Sequence, residues 1–552
     1  MAAISTPFAA TVRPVGSIAQ FNTARHILGL LRAVIVTCRY NVSTSHLRSL
    51  SLQTVVENAL ATVMMGQPIL RVGIAGEETK NPVFVHLKTI DIRRMIEWKL
   101  LNSRQGTEKS TEIGLSGSDN DAYTESLLRS LEKAHECLWD DLGRKPGWKV
   151  IVHQDGDRST IAQNTNDQSE REKISLDISF AFHHAYADGR SAYIFHADLQ
   201  RALNSSDLPP PELQDHILHL AHPPAIPLPM ETIVPLTVTL GFILRTVWGG
   251  FKAPAWVPRF LRIALGLEVP EDKIPWTGAP IDASNPRPHI RLLDLGNDAQ
   301  IQSLLSICRA HDTSLTGLLH ALIARSLARR LPKDVSALAS VTPIAMAGYV
   351  DQNLADSTFI PGKTMHCMIT GLSCVHDGPN IEALRADEQP DEVAITQSED
   401  KDHAVWNIAR DVTIRLRAKA ASLPHNDMQG LARFVNDWHE FFKKRFGKPR
   451  DSSWELSNLG SLSELDAGLE QISTESQEAE DEGEGWSIDR VIFTQGSNAT
   501  GAAFSLNVSG VAGQNTYGTI TWQDGIVEVE LMDGVAADLT AWTSSLAQLG
   551  YL

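Results

Sequence analysis

Cysteine is scarce in this sequence. Five residues in 552, Cys38, Cys137, Cys308, Cys367 and Cys374, are scattered without a CxxC pair. That pattern excludes a disulfide-stapled scaffold and a clustered-thiolate zinc centre, and it points to a reducing, cytoplasmic setting. Basic charge is also in deficit. Lys plus Arg number 49 against 66 Asp plus Glu, a net charge of -17, which excludes a general nucleic-acid backbone binder, whose footprint is basic. No apolar run reaches membrane-spanning length. The uncharged stretch from Ile233 to Leu244 is ended by Arg245, short of the roughly 20 residues a spanning helix requires. A buried or surface-lying helix is the main reading there, with peripheral attachment of 233–247 to a membrane or lipid body as the second. Met1–Pro7 lacks a basic start followed by an apolar core, so no secretory signal is read.

What is present suits large buried cores: 43% of residues are hydrophobic and 21% charged, and the length allows more than one unit. Strand patterns at Ala33–Cys38, Leu70–Val72, Val83–Leu87 and Trp148–Val152 alternate with helical patterns at Leu47–Met64 and Leu127–Cys137. Prolines 209, 210, 211, 223, 224, 227 and 229 crowd the region after residue 208 and disfavour regular structure. The expected organisation is a lobe over 1–207, a connector over 208–288 and a second lobe over 289–552. In the second lobe, Thr313 or Ser314 is positioned to cap a helix through Ala324. A long helical region is expected over His403–Arg445. Strands at Ile488–Phe493, Ala503–Val508, Tyr517–Trp522 and Val527–Leu531 read as a closing meander, with Asp524-Gly525 as a turn signal. Glu475–Glu484 is an acidic, low-complexity stretch. The fold class is therefore α/β (α+β), two lobes of mixed sheet and helices around a central cleft.

The chemistry concentrates in one place. Ile174, Leu176, Ile178, Phe180 and Phe182 alternate with Ser175, Asp177, Ser179 and Ala181, a period of two that predicts a half-buried strand. The strand breaks into His183-His184-Ala185-Tyr186-Ala187-Asp188-Gly189, and a helical pattern follows to about Asn204. Consecutive strand residues face opposite sides, so one histidine acts and the other packs. His184 is assigned as general base, His183 as its packing or orienting neighbour, Asp188 as a clamp on the loop, and Gly189 as the residue that permits the turn. A metal site on His183, His184, Asp188 and His196 is disfavoured, because adjacent histidines rarely converge on one ion and no HExxH supports it. The basic cluster Lys443, Lys444, Arg445, Lys448 and Arg450 is a candidate for anionic phosphate groups, or else a solvated helix end.

At HHxxxDG the sequence resembles the fungal alcohol acetyltransferases, within the superfamily of chloramphenicol acetyltransferase, plant BAHD acyltransferases and peptide-synthetase condensation domains. Arg13-Pro14-Val15-Gly16, Thr23-Ala24-Arg25-His26, Pro275-Trp276-Thr277-Gly278, the Thr313–Ala324 helix and Ser457-Asn458-Leu459-Gly460 are similar landmarks in the same order. The resemblance implies two chloramphenicol-acetyltransferase-like lobes. It implies acetyl-CoA as co-substrate with no resident cofactor, a small-molecule alcohol as acceptor, and a monomer. Ser457, Asn458 and Gly460 would lie at the oxyanion or cleft, and the basic cluster would meet the CoA phosphates. An amine acceptor, a longer acyl chain or a catalytically silent binder are the alternatives. One departure stands out: relatives carry an arginine that holds the motif aspartate, whereas Pro343-Ile344-Ala345-Met346-Ala347 has none.

Overall fold

The computed structural model describes residues 10–44, 50–101, 119–156, 173–205, 208–249, 273–386, 403–462 and 485–551. The Met1–Pro7 start, most of the Gln154–Glu172 loop and the acidic stretch Glu475–Glu484 lie outside them. The first half supplies β1 (Thr11–Pro14), β2 (Val34–Ser43), β3 (Val72–Ala75), β4 (Val83–His86), β5 (Thr89–Asp91), β6 (Ile96–Leu101), β7 (Trp148–Asp155) and β8 (Lys173–Phe182). The proline-rich connector contributes β9 (Leu213–Gln214) and β10 (Ile217–His219). The second half supplies β11 (Pro288–Gly296), β12 (Leu338–Ala345), β13 (Ile369–His376), β14 (Ser452–Ser461), β15 (Ser487–Gln495), β16 (Ala502–Gly510) and β17 (Thr516–Gln523).

Two large sheets organise these strands. The first has the order β15-β2-β8-β7-β6 and the second β11-β17-β16-β14-β12-β13. Two three-stranded sheets, β1-β4-β3 and β5-β10-β9, flank the first. The connector is thus less irregular than its prolines predict, because β10 pairs antiparallel with β5 of the first half. The expected meander is corrected at both ends. β15 leaves its chain neighbours and pairs antiparallel with β2 across the full length from Ser487 to Gln495. Val527–Leu531 is not a strand but leads into the Val529–Leu549 helix. The predicted His403–Arg445 helix is three helices, His403–Ser422, Gln429–Ala432 and Trp438–Lys443, interrupted at Pro424, whose ring cannot continue the ladder. The apolar run after Ile233 is likewise split, into Met230–Ile233 and Leu240–Gly249, the second leaving Leu240 and Leu244 exposed. Among the described residues no helix is long and apolar enough to cross a membrane.

β8 is central in its sheet rather than half-buried. Phe180 stacks on Phe195 of the Gly189–Asn204 helix at 4.0 Å, within a core that also holds Leu176, Ile178 and Phe182. On the opposite face, Ala181 and Ile151 pack against Leu127 and Leu131 of the Asp119–Glu136 helix. Asp177 and Ser179 of the alternation are therefore buried and must be satisfied internally. Asp177 is ion-paired with Arg39 at 3.0 Å and Arg490 at 2.9 Å, and Ser179 shares a 2.8 Å hydrogen bond with Thr37. In the second half, the Leu315–Arg330 helix is capped by Ser314, which accepts from the Gly317 amide. It is buried almost all round, because the His403–Ser422 and Val529–Leu549 helices join it in one core over the six-stranded sheet.

Candidate active site

The motif occupies the junction of β8 and the Gly189–Asn204 helix. β8 ends at Phe182, held between Val34 and Trp148, and the His183 amide donates to the Gly147 carbonyl at 2.8 Å. Rigid elements on both sides fix the backbone of the intervening turn.

Both histidines lie past the end of β8, in the turn, and they diverge there through different partners rather than through strand alternation. His183 is buried. Its Nδ1 accepts the Ala185 amide at 3.0 Å, so the proton resides on Nε2, which meets Glu77 Oε1 at 2.9 Å. His26 approaches the same carboxylate oxygen through Nδ1 at 2.8 Å, while its Nε2 accepts the Trp139 amide at 3.0 Å. These three residues place potential metal-ligand atoms within 4.8 Å of one another. Each ring, however, uses its other nitrogen to accept a backbone N–H, so the nitrogens facing Glu77 are donors without a lone pair to offer. Burial opposes ionisation of Glu77, but hydrogen bonds from His183 and His26 outweigh it and bring its pKa to about 2.

His184 is half-buried. Its Nδ1 lies 2.9 Å from the Ala187 carbonyl; a carbonyl only accepts, so Nδ1 carries the proton and the lone pair is on Nε2. Burial lowers its pKa, the Arg25 guanidinium lowers it further, and Asp188 partly offsets both. His184 is therefore neutral near pH 7 with one nitrogen free to accept a proton. Its own carbonyl accepts from Asn22 Nδ2 at 3.3 Å, and Cys367 Sγ lies 3.7 Å from Nδ1.

Asp188 caps the following helix. Oδ1 accepts from the Ser191 amide at 2.8 Å and the Ser191 hydroxyl at 2.9 Å, and Oδ2 accepts from the Met368 amide at 2.9 Å. The arginine absent from Pro343–Ala347 is thus replaced by a backbone relay. Met346, within that run, donates its amide to the Met368 carbonyl at 2.8 Å, and Met368 in turn donates to Asp188. Gly189 is corrected. It sits outside the left-handed region, and its lack of a side chain is used in packing: a Cβ there would lie 2.5 Å from Leu459 Cδ2, so the Leu459 side chain would have to shift to admit one.

That contact brings the Ser457–Gly460 segment, the end of β14, against the motif helix, and Tyr193 of the helix donates to the Gly460 carbonyl at 3.0 Å. Ser457 is buried; Asn458 is exposed, reaching Thr316 Oγ1 at 3.3 Å and accepting from the Gly460 amide at 2.9 Å. The basic cluster is dispersed by its partners. Arg450 is buried on the carbonyls of Ala279, Asn498 and Ala502 and on Gln523, so it is withdrawn from surface phosphate binding. Arg445 makes a two-bonded pair with Asp451 and Lys443 pairs with Glu440 at 3.2 Å. Lys444 and Lys448 are exposed. Glu77, Asn22, Arg25 and Cys367 escape motif reading, although Arg25 and His26 fall inside the Thr23–His26 landmark.

No protein-family model matches the chain. It is 28% identical over 547 residues to a probable alcohol acetyltransferase, FCK4, of Fusarium pseudograminearum, covering 98% of this chain and 96% of that protein. It is 23% identical to a second, crmB of Aspergillus fumigatus, over 94% of this chain and 96% of that one. Its fold matches the trichothecene 15-O-acetyltransferase TRI3 of Fusarium sporotrichioides with a TM-score of 0.59 at 12% identity, covering 96% and 95% of the two chains. The chain thus has the two-lobed fold of that acetyltransferase and is similar over nearly its whole length to two probable alcohol acetyltransferases. Within this fold, the HHxxxDG residues sit where the first sheet's central strand meets the end of the second sheet's β14.

Proposed function

We propose that the protein transfers an acyl group, acetyl in the first instance, from acyl-CoA to an alcohol hydroxyl, with His184 as general base. The observation that carries this reading is the Nδ1 contact with the Ala187 carbonyl, which leaves Nε2 as the acceptor on a neutral ring. The fungal relatives named as probable alcohol acetyltransferases support the choice of donor and acceptor. In the reaction, Nε2 takes the hydroxyl proton as the oxygen bonds to the thioester carbonyl carbon. The tetrahedral oxyanion collapses, breaking the C–S bond, and the imidazolium returns its proton to the CoA thiolate. Ser457, Asn458 and the Gly460 backbone are the proposed oxyanion or cleft contacts. Asp188 acts by holding the turn, not by proton transfer. A silent homologue is disfavoured because both Asp188 oxygens are held by hydrogen bonds without the arginine.

Release of free thiol from acetyl-CoA with a panel of alcohols and matching amines, with product mass, tests the reading. Ester formation is expected; amide formation alone, or binding without thiol release, would overturn it. Lys444 and Lys448 are the candidates left for CoA phosphates, and reversing both charges should raise KM for acetyl-CoA at unchanged kcat.

A further inference from the structure

We propose that Glu77 is a positioning residue for the active site: its carboxylate fixes the proton of His183 on Nε2, so that Nδ1 can hold the Ala185 amide and with it the turn that presents His184. The inference rests on His184 being the base. Its support is a continuous set of contacts in which every donor is matched. Glu77 Oε1 receives His183 Nε2 at 2.9 Å and His26 Nδ1 at 2.8 Å. The far nitrogen of each ring receives a backbone amide, Ala185 for His183 and Trp139 for His26, both at 3.0 Å.

The opposite tautomer of His183 would turn an N–H toward the Ala185 N–H and leave Nε2 facing a carboxylate, two repulsions at a residue only 1% exposed. The neutral, Nε2-protonated ring is the arrangement compatible with an ionised Glu77. The carboxylate is itself anchored. It projects from the turn between β3 and β4, entered through Gly76 at φ 71°, and the Glu77 carbonyl accepts from His439 Nε2 at 3.1 Å. Ala185 directly follows His184, so a turn that loses the Ala185 hydrogen bond loses the constraint adjoining the base. His26, stacked edge-on against His183 at 4.5 Å, completes the support by holding Glu77 from the other side.

The test reads the tautomer directly and then its consequence. In protein labelled with ¹⁵N-histidine, His183 should appear as the neutral Nε2-protonated form and should not titrate between about pH 5 and 8. An Nδ1-protonated or titrating His183 overturns the proposal whatever the activity data show. In Glu77→Gln the remaining amide oxygen can still accept from both rings, so kcat should stay within about threefold of wild type. Glu77→Leu should lower kcat roughly 10- to 100-fold, the scale of a misplaced catalytic group, with KM unchanged in the folded fraction. A folded Glu77→Leu protein with wild-type kcat contradicts the proposal. Because Asn can accept the Ala185 amide without a tautomer, Glu77→Leu added to His183→Asn should cost little more than His183→Asn alone; fully multiplicative losses would contradict it. Should His184→Ala retain transfer, the base assignment falls while the tautomer result stands on its own.

Discussion

His184 and Asp188 divide their work according to what each can donate and accept. His184 spends its one proton on the Ala187 carbonyl and keeps a lone pair for chemistry; Asp188 commits both oxygens to holding Ser191 and Met368. The groups bearing on the His184 charge are Arg25, Asp188, His183 and the Cys367 thiol. Burial and Arg25 lower its pKa below the ordinary 6.5, so the acid limb of kcat/KM should fall below that pH. Arg25→Gln removes a positive charge that disfavours imidazolium and should move the limb upward, toward 6.5; Arg25→Lys should leave it in place. A pH profile of kcat/KM checks this, and an unmoved limb in Arg25→Gln would refute the coupling. At this scale the sequence names the actors but not their partners. HHxxxDG is local and its strand-to-helix mount is visible in the alternation. Glu77 reaches His183 across 106 positions and His26 across 51, separations at which no spacing rule operates. The same is true of Met368, which takes the role expected of an arginine by backbone alone.

Among elements, β8 and the Gly189–Asn204 helix are legible because their periods, two and then 3.6, change at the motif. The depth of β8 is not, since Ser and Asp on its second face look solvated until the Asp119–Glu136 helix covers them. Gly189 is an instructive misreading. A glycine after a polar turn suggests backbone freedom, yet here the missing side chain makes room for Leu459 of β14. Gly189→Ala should therefore destabilise by about 1 kcal/mol, the low end for overpacking, because the atoms in the way are the end of the Leu459 side chain. Leu459→Ala should recover part of that loss in the double variant. Denaturant unfolding of the four proteins measures the coupling, and strictly additive losses would show that the two residues do not share a contact.

Across the whole molecule the two halves are less separable than their sequence boundaries suggest. β15, from the second half, covers the β2 edge of the first sheet, and an uncovered edge is a liability for aggregation. Gln495 on β15 donates to Glu455 on β14 at 2.7 Å. In the other direction, Glu132 of the first half accepts the Ile290 amide of β11 at 2.9 Å. Nothing in the chain order announces this exchange, because a strand's sheet is chosen by non-local pairing. Residues 1–207 expressed alone should accordingly fail to give a folded, soluble monomer by circular dichroism and size exclusion, and a stable fragment would count against the interlock. The central claim remains the reaction. Thiol release from acetyl-CoA with an accepted alcohol, compared between wild type and His184→Ala, tests it most directly. The account predicts turnover in the wild type and its loss by orders of magnitude in the variant at unchanged melting temperature, whereas equal turnover in the two proteins would contradict it.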